Sequence, residues 1–270
     1  MRSARPGRRR WIWVVLALIV VGLALGLADT WPWNPLSGTV QVTPGGATPG
    51  PAGSPRLRVV GLGDSVMAGD NCGCRGIPAR YAERLATARE TGVDWQNLGE
   101  EGITSDDLVS ILTDEAAVRA AVARADVVLL TIGANDMYAL PDSWACNQQC
   151  IDKAASATGG RIAQILSLIR QLRAHQPTRV LVTTYWNVFT DGAVARSSET
   201  ESELQWDRRV TEATNSAICA SLDQRSTCVD LDTPFHDTPT GDPSRYLADD
   251  GDHPNADGVE LIVTRLLAAG

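Results

Sequence analysis

Residues 56–66 read RLRVVGLGDSV, and this stretch decides the fold. Its first part is rich in β-branched and apolar side chains and predicts a strand over Arg56–Gly61. A second stretch, DVVLLTI at Asp126–Ile132, is nearly continuously hydrophobic, as a strand covered on both faces should be. Both strands are followed closely by short polar motifs, GDSV at Gly63–Val66 and GAND at Gly133–Asp136.

Around these two strands, short apolar runs alternate with segments of helical length. Further strands are predicted at Val93–Asn97, Arg179–Thr184 and Cys228–Leu231, and helices at Ile77–Glu90, Ser105–Leu112, Glu115–Arg124, Gly160–His175, Glu201–Gln224 and Asn255–Ala269. This alternation predicts a three-layer α/β/α sandwich whose parallel sheet has about five strands. In such sheets ligands bind beyond the carboxyl ends of the strands.

The N-terminus indicates export. Arginines cluster in the first ten residues, and Trp11–Ala28 follows without one charge. We therefore expect residues 1–28 to be either a cleaved signal peptide or a retained membrane anchor, with residues 11–28 as the tether. Because positive charge stays on the cytoplasmic side, the rest of the chain is expected outside the membrane. Residues 29–55 are rich in Pro, Gly, Thr and Ser and predict a linker, and residues 56–270 predict the folded domain.

The composition narrows the classes of partner. The formal net charge is −8, and an acidic surface repels nucleic-acid phosphates, so no nucleic-acid partner is expected. The six cysteines are an even number in a chain predicted to enter an oxidising compartment, which favours disulfides. Their spacings do not match a zinc site. We expect local bonds between Cys146 and Cys150 and between Cys219 and Cys228, whereas a bond between Cys72 and Cys74 would close a very small ring.

Ser65 is the first candidate for chemistry, because it directly follows a strand end and begins the next structured segment. There its hydroxyl can be exposed and its backbone N–H can stabilise an anion. A turn in which Ser65 caps a helix explains the tetrapeptide equally well. A dinucleotide fingerprint is excluded because Val66 stands where the third glycine is needed. The G-x-S-x-G elbow of α/β-hydrolases is excluded because residue 67 is Met.

Two loops after neighbouring strands offer further polar groups. NLGEEGIT, residues 97–104, contains Gly102, which allows close backbone approach and an N–H aimed into a cleft. The side-chain amide of Asn135 could donate a hydrogen bond to a developing oxyanion. Taken alone, an ordinary turn explains either segment.

The DGDHP motif precedes the last predicted helix. The three-residue spacing lets the carboxylate of Asp250 turn back onto the imidazole of His253, fixing its tautomer. A calcium loop is disfavoured because Pro254 occupies the next ligand position. The other two histidines offer less: His175 ends a predicted helix, and His236 lies in a Pro-rich loop without an evident role.

Taken in order, GDSV, NLGEEG, GAND and DGDHP resemble the four sequence blocks of the SGNH or GDSL-type serine hydrolases, from Gly63 to Pro254. The resemblance implies a flavodoxin-like fold. It implies that Ser65 is the nucleophile, His253 the general base and Asp250 its orienting carboxylate. The oxyanion hole would consist of the backbone N–H groups of Ser65 and Gly102 and the side chain of Asn135.

The resemblance implies an esterase. Because the N-terminus indicates export, we expect this esterase at the outer face of the membrane or beyond it, as a monomer. Its substrate would be a small-molecule, lipid or carbohydrate ester, and no metal or other cofactor is implied. The alternatives are a cell-envelope O-acyltransferase and a non-catalytic binding module on the same fold. Two cysteine-bearing insertions, Asp70–Gly76 and Trp144–Cys150, are expected to border the site, so substrate preference is not carried over from distant family members. Short acyl chains are favoured, because the sequence contains no long apolar lid segment.

Overall fold

The computed structural model describes residues 43–174, 176–238 and 241–270. Its strands are β1 (Thr43–Ala47), β2 (Leu57–Gly63), β3 (Val93–Gly99), β4 (Val127–Thr131), β5 (Arg179–Thr183) and β6 (Ser226–Val229). Its helices are α1 (Ser65–Ala68), α2 (Ile77–Arg89), α3 (Ser105–Asp114), α4 (Ala116–Val122), α5 (Ala134–Met137), α6 (Gln148–Leu172), α7 (Gly192–Ser198), α8 (Glu201–Ala220), α9 (Asp232–His236), a 3₁₀ turn (Pro243–Tyr246) and α10 (Ala256–Ala269).

One six-stranded sheet, in the order β1-β3-β2-β4-β5-β6, forms the centre of the fold. The five strands from β2 to β6 pair in parallel, as predicted. Helices cover both faces: α2 packs against α10, while α6 packs against α3 and α8. The predicted three-layer, flavodoxin-like α/β/α class is confirmed.

The strand β4 is the most buried part of the sheet. Every residue of Val127–Thr131 is buried, which explains its unbroken apolar sequence. Its neighbour β2 is buried from Val59 onward. At the carboxyl end of β2, Gly63 lies in register with Gly99 of β3 and Thr131 of β4. A Cβ on Gly63 would lie 1.8 Å from the Thr131 carbonyl oxygen, so this crowded junction requires glycine.

A strand not predicted from the sequence, β1, pairs antiparallel with the outer edge of β3. It lies inside the range 29–55 that the composition predicts as a linker, so the described sheet extends upstream of Arg56. Its TPGGA sequence has a single β-branched residue, and the proline and two glycines that follow are depleted in strands. The prediction for residues 1–28 lies outside the described residues. No helix within the described ranges is long and apolar enough to cross a membrane.

The helix α6 begins well before its predicted start at Gly160. Asn147 caps it by accepting a hydrogen bond from the Cys150 amide at 3.1 Å. The Gly159-Gly160 pair lowers helix propensity, but the helix continues through it. A Cβ on Gly159 would lie 3.1 Å from the Ala217 carbonyl oxygen, so glycine allows α6 and α8 to approach closely.

All six cysteines form disulfides with close neighbours in the chain. The bonds are Cys72–Cys74, Cys146–Cys150 and Cys219–Cys228. The two expected local bonds are therefore present, and the small ring between Cys72 and Cys74 is closed as well.

Candidate active site

The short helix α1 carries Ser65 at the carboxyl end of β2. Its N-cap is Asp64, whose carboxylate accepts a hydrogen bond from the Val66 amide at 3.1 Å. The Asp64 amide in turn donates to the Thr131 carbonyl at 3.0 Å, which ties the turn to β4. The bland interpretation of the GDSV turn is thus partly right, with Asp64 rather than Ser65 as the cap, while Ser65 is half-buried at the first helical position.

Asn97 fixes the far end of α1. Its side-chain amide donates to the carbonyls of Met67 and Ala68 at 2.9 and 3.1 Å, and its own oxygen accepts from the Gly99 amide at 3.1 Å. Ala68 packs so closely on β3 that a Cβ on Gly99 would lie 2.4 Å from the Ala68 nitrogen. Two residues of the NLGEEG block, Asn97 and Gly99, therefore position the segment that carries Ser65.

The structure brings Ser65, His253 and Asp250 together although 188 positions separate the first two in sequence. His253 Nε2 lies 2.9 Å from Ser65 Oγ, and His253 Nδ1 lies 2.8 Å from Asp250 Oδ2. The other carboxylate oxygen of Asp250 accepts the backbone amides of Asp252 and His253 at 2.9 and 3.0 Å. The three-residue spacing thus gives the turn that was predicted from the sequence.

Electrostatics around His253 favour its protonated form. Burial alone would lower the pKa of the imidazole, but the hydrogen bond with Asp250 and the charges of Asp252, Asp250 and Asp70 outweigh it, so the pKa of His253 is raised. Burial would raise the pKa of Asp250, but hydrogen bonds from the amides of Asp252 and His253 and from the imidazole keep it lowered. Asp250 therefore stays ionised beside His253.

Two neighbouring carboxyl groups, those of Asp64 and Asp252, have raised pKa values, in contrast to Asp250. Burial raises the pKa of Asp64 to about 7, although the hydroxyl of Tyr185 donates a hydrogen bond to it. Burial also raises the pKa of Asp252 to about 6. Tyr138 places its hydroxyl 3.4 Å from the Asp252 carboxylate. The site thus combines one firmly ionised carboxylate with two that titrate near neutral pH.

Gly102 and Asn135 lie on loops at the same edge of the sheet. Gly102 is exposed and has a positive φ of 75°, in the left-handed region that favours glycine. Asn135 is in the first turn of α5, and its side-chain amide donates to the Ile103 carbonyl at 2.9 Å. This bond links the Asn135 side chain to the residue after Gly102. Their shared role in an oxyanion hole stays a prediction.

Two contacts near the site were not predicted. Asn71, from the Asp70–Gly76 insertion, donates to Asp250 Oδ2 at 2.6 Å, so this insertion borders the site as expected. His236, which had no evident role, is buried at the end of α9, with Nε2 3.1 Å from Asp191 Oδ2. The Asp191 amide donates to the Gly251 carbonyl at 2.7 Å, inside the DGDHP loop.

The second insertion and the other predictions have separate outcomes. The Cys146 carbonyl accepts a hydrogen bond from Trp206 Nε1 at 3.1 Å, but that Trp144–Cys150 borders the site stays a prediction. His175 lies outside the described residues. Within the described ranges no group of three or more His, Cys, Asp or Glu side chains could hold a metal ion, and the expectation of no cofactor stays a prediction.

Comparison with known proteins identifies the family of this chain. Residues 62–261 match the GDSL-like Lipase/Acylhydrolase family, so the chain belongs to that family. A Bacillus subtilis protein named YpmR, itself uncharacterized, is 28% identical over 218 residues, which are 78% of this chain and 80% of that protein.

Two solved structures are similar in fold. A lipase from a goat rumen metagenome is 20% identical, with a TM-score of 0.62 over 79% of this chain and 97% of that one. A catalytic mutant of an acetylxylan esterase from Geobacillus stearothermophilus is 18% identical, with a TM-score of 0.51 over 79% of this chain and 93% of that one. Membership of the lipase/acylhydrolase family identifies the chain as a hydrolase of ester bonds, and the two solved structures share its fold.

Proposed function

We propose that this hydrolase is an exported serine esterase in which Ser65 attacks a carboxylic ester. The observation that carries the proposal is the continuous relay from Asp250 through His253 to Ser65, with contacts of 2.8 and 2.9 Å. A base within hydrogen-bond reach of a hydroxyl, itself oriented by a third group, is the arrangement that activates a weak nucleophile.

In the first step, His253 Nε2 takes the proton of the Ser65 hydroxyl while Ser65 Oγ forms a bond to the ester carbonyl carbon. The tetrahedral oxyanion is held by the backbone N–H groups of Ser65 and Gly102 and the side chain of Asn135. The bond from carbon to the alcohol oxygen then breaks, and His253 gives its proton to the departing alcohol. Asp250 stabilises the imidazolium throughout.

In the second step, water replaces the alcohol. His253 takes a proton from the water as it attacks the acyl-enzyme, and the bond to Ser65 Oγ breaks with return of that proton to Ser65. The carboxylic acid leaves and the enzyme is restored. An acyltransferase would differ only in that an acceptor hydroxyl takes the place of water.

The substrates we propose are esters of short acyl groups, including acetyl esters of small molecules or carbohydrates. Among the described residues, the large hydrophobic side chains that are mostly exposed are Tyr138 and Trp144. Tyr138 lies beside the site, since its hydroxyl is 3.4 Å from the Asp252 carboxylate, and an exposed aromatic ring there could pack against a small or ring-shaped group. Export is supported by the three disulfides and by the arginine-led apolar segment over residues 1–28.

The direct test is hydrolysis of p-nitrophenyl esters from acetate to palmitate by the full-length chain and by Ser65→Ala. We expect turnover that is highest for acetate to butyrate and is lost in the variant. Turnover that persists in the folded variant would rule out Ser65 as nucleophile. A maximum at palmitate would contradict the short-chain substrate class, and faster ester consumption with an added alcohol, with transfer product formed, would favour the acyltransferase.

A further inference from the structure

Asn71 reaches the proposed relay from a separate part of the chain. Its side-chain nitrogen lies 2.6 Å from Asp250 Oδ2 and 3.5 Å from His253 Nδ1, across 179 and 182 positions of sequence. The Asn71 backbone lies just after α1, the helix that carries Ser65. One side chain therefore joins the segment of the nucleophile to the loop of the base.

The hydrogen bonds of Asp250 show why this contact matters. Oδ1 accepts two backbone amides, those of Asp252 and His253, and Oδ2 accepts His253 Nδ1. These three donors all belong to the same short loop as Asp250. Asn71 supplies the fourth contact and is the one of the four that comes from elsewhere in the fold. It thereby fixes the carboxylate, and not only the loop, relative to the rest of the site.

The backbone around Asn71 is held in an uncommon conformation. Asn71 has a positive φ of 56°, a region that asparagine tolerates better than most residues, and Gly73 has a φ of 58°. Between them lies Cys72, whose side chain is buried in the core and bonded to Cys74. The Cys74 amide also donates to Cys72 Sγ at 3.0 Å. The small disulfide ring thus presents an exposed amide at one defined place.

We propose that Asn71 is a positioning residue of the proposed triad, which orients the Asp250 carboxylate toward His253 and disperses part of its charge. This inference rests on the proposed function of Ser65, His253 and Asp250. The Asn71 side chain contacts Asp250 Oδ2 and the Nδ1 side of the His253 ring, whereas the proton of Ser65 is taken by Nε2. Asn71 acts through Asp250, because its hydrogen bond to Oδ2 fixes the orientation of the carboxylate.

The charges facing His253 give the proposal a measurable signature. Asp250 and Asp252 face it from its own loop, and Asp64 and Asp70 from the segment around α1. Because all four are acidic, each unit of uncompensated negative charge favours the imidazolium. Removing the Asn71 donor, or replacing it with a carboxylate, should therefore raise the pKa of His253 further.

The experiment compares Asn71→Ala and Asn71→Asp in the full-length chain with the wild type. We expect Asn71→Ala to lower kcat on p-nitrophenyl acetate by about 10- to 100-fold, with KM nearly unchanged, because the relay is misaligned. We expect Asn71→Asp, which keeps the shape, to move the acidic limb of kcat/KM to higher pH by about one unit or more. NMR titration of the His253 ring should show the same shift without any substrate.

Asn147→Ala is the matched control, because Asn147 also adjoins a short disulfide ring but bonds the Cys150 amide of its own helix. It should lose stability without moving the acidic limb. If both Asn71 variants keep the wild-type limb and His253 titration, or if both fail to fold, Asn71 has no positioning role and the proposal is overturned. Ser65→Ala in the hydrolysis assay tests the proposed function separately. The NMR titration of His253 tests the role of Asn71 even when no ester is hydrolysed.

Discussion

The imidazole of His236 forms a buried ion pair with Asp191, with Nε2 3.1 Å from Oδ2. Burial alone would lower the pKa of His236, but its hydrogen bonds to Asp191 and Asp232 raise that pKa to about 10. The same Asp191 holds the Gly251 carbonyl through its backbone amide. A charged histidine that does not touch the proposed triad thus supports the loop that carries Asp250 and His253.

This pair predicts a loss of stability in alkaline solution. Because the folded pKa of His236 is raised above its ordinary 6.5, its contribution to stability is complete below pH 6.5 and is lost as pH rises through about 10. The melting temperature of the wild type should therefore fall more steeply over this range than that of His236→Gln. Differential scanning calorimetry at a series of pH values measures both melting temperatures. If the two melting temperatures fall in parallel with pH, the ion pair does not contribute to stability.

A second prediction concerns the acidic side of the activity profile. His253 must be neutral to take the proton of Ser65, and its pKa is raised above 6.5. We expect kcat/KM to fall tenfold per pH unit below a midpoint that lies above pH 6.5. The measurement is an initial-rate profile from pH 4 to 9 on a neutral ester. Full activity at pH 5 would contradict the role of His253 as general base.

The third prediction addresses the oxyanion hole. Asn135→Ala should reduce kcat by about 10²–10³, because one donor to the developing charge is lost. KM should change little, since the interaction strengthens only in the transition state. Ser105→Ala is a suitable control. Ser105 donates hydrogen bonds to Asp136, the residue after Asn135, so this variant perturbs the same loop but keeps the side-chain amide of Asn135. Equal effects of the two variants on kcat would assign Asn135 to loop structure instead.

The fourth prediction concerns the packing beneath Ser65. In Gly99→Ala the new methyl would lie 2.4 Å from the Ala68 nitrogen, so α1 must shift. We expect a loss of about 1–3 kcal/mol in the free energy of unfolding from overpacking, together with reduced turnover. Gly160→Ala adds the same methyl to an open helical position and should stabilise the chain by up to about 1 kcal/mol. Chemical denaturation of both variants tests the contrast, and a neutral Gly99→Ala would contradict it.

The main elements could be predicted from the sequence because burial imposes a pattern on it. The apolar run of β4 and the helical spacing of α2 each indicated their structure. The relay could be predicted because Asp250 and His253 are close in sequence. Like Ser65, they follow a strand, and the carboxyl ends of parallel strands meet at one edge of the sheet. The structure adds the distances, which no pattern contains.

The remaining contacts could not be predicted because they depend on tertiary neighbours. The strand β1 consists mostly of Pro, Gly and Ala, which have low strand propensity, and it forms because the edge of β3 accepts it. Asn71 and His236 meet Asp250 and Asp191 across long sequence separations, and neither lies in a motif. The helix α6 starts earlier than predicted and continues through a pair of glycines, where packing against α8 outweighs their low propensity.

The antiparallel strand β1 also has a consequence for handling the protein. Without Thr43–Ala47, the outer edge of β3 would expose a row of amides and carbonyls without hydrogen-bond partners. Another molecule with the same exposed edge could pair with it. Two truncated molecules could then associate edge to edge. A recombinant fragment intended to remain monodisperse should therefore start upstream of Thr43, and one that starts at Arg56 should self-associate at high concentration.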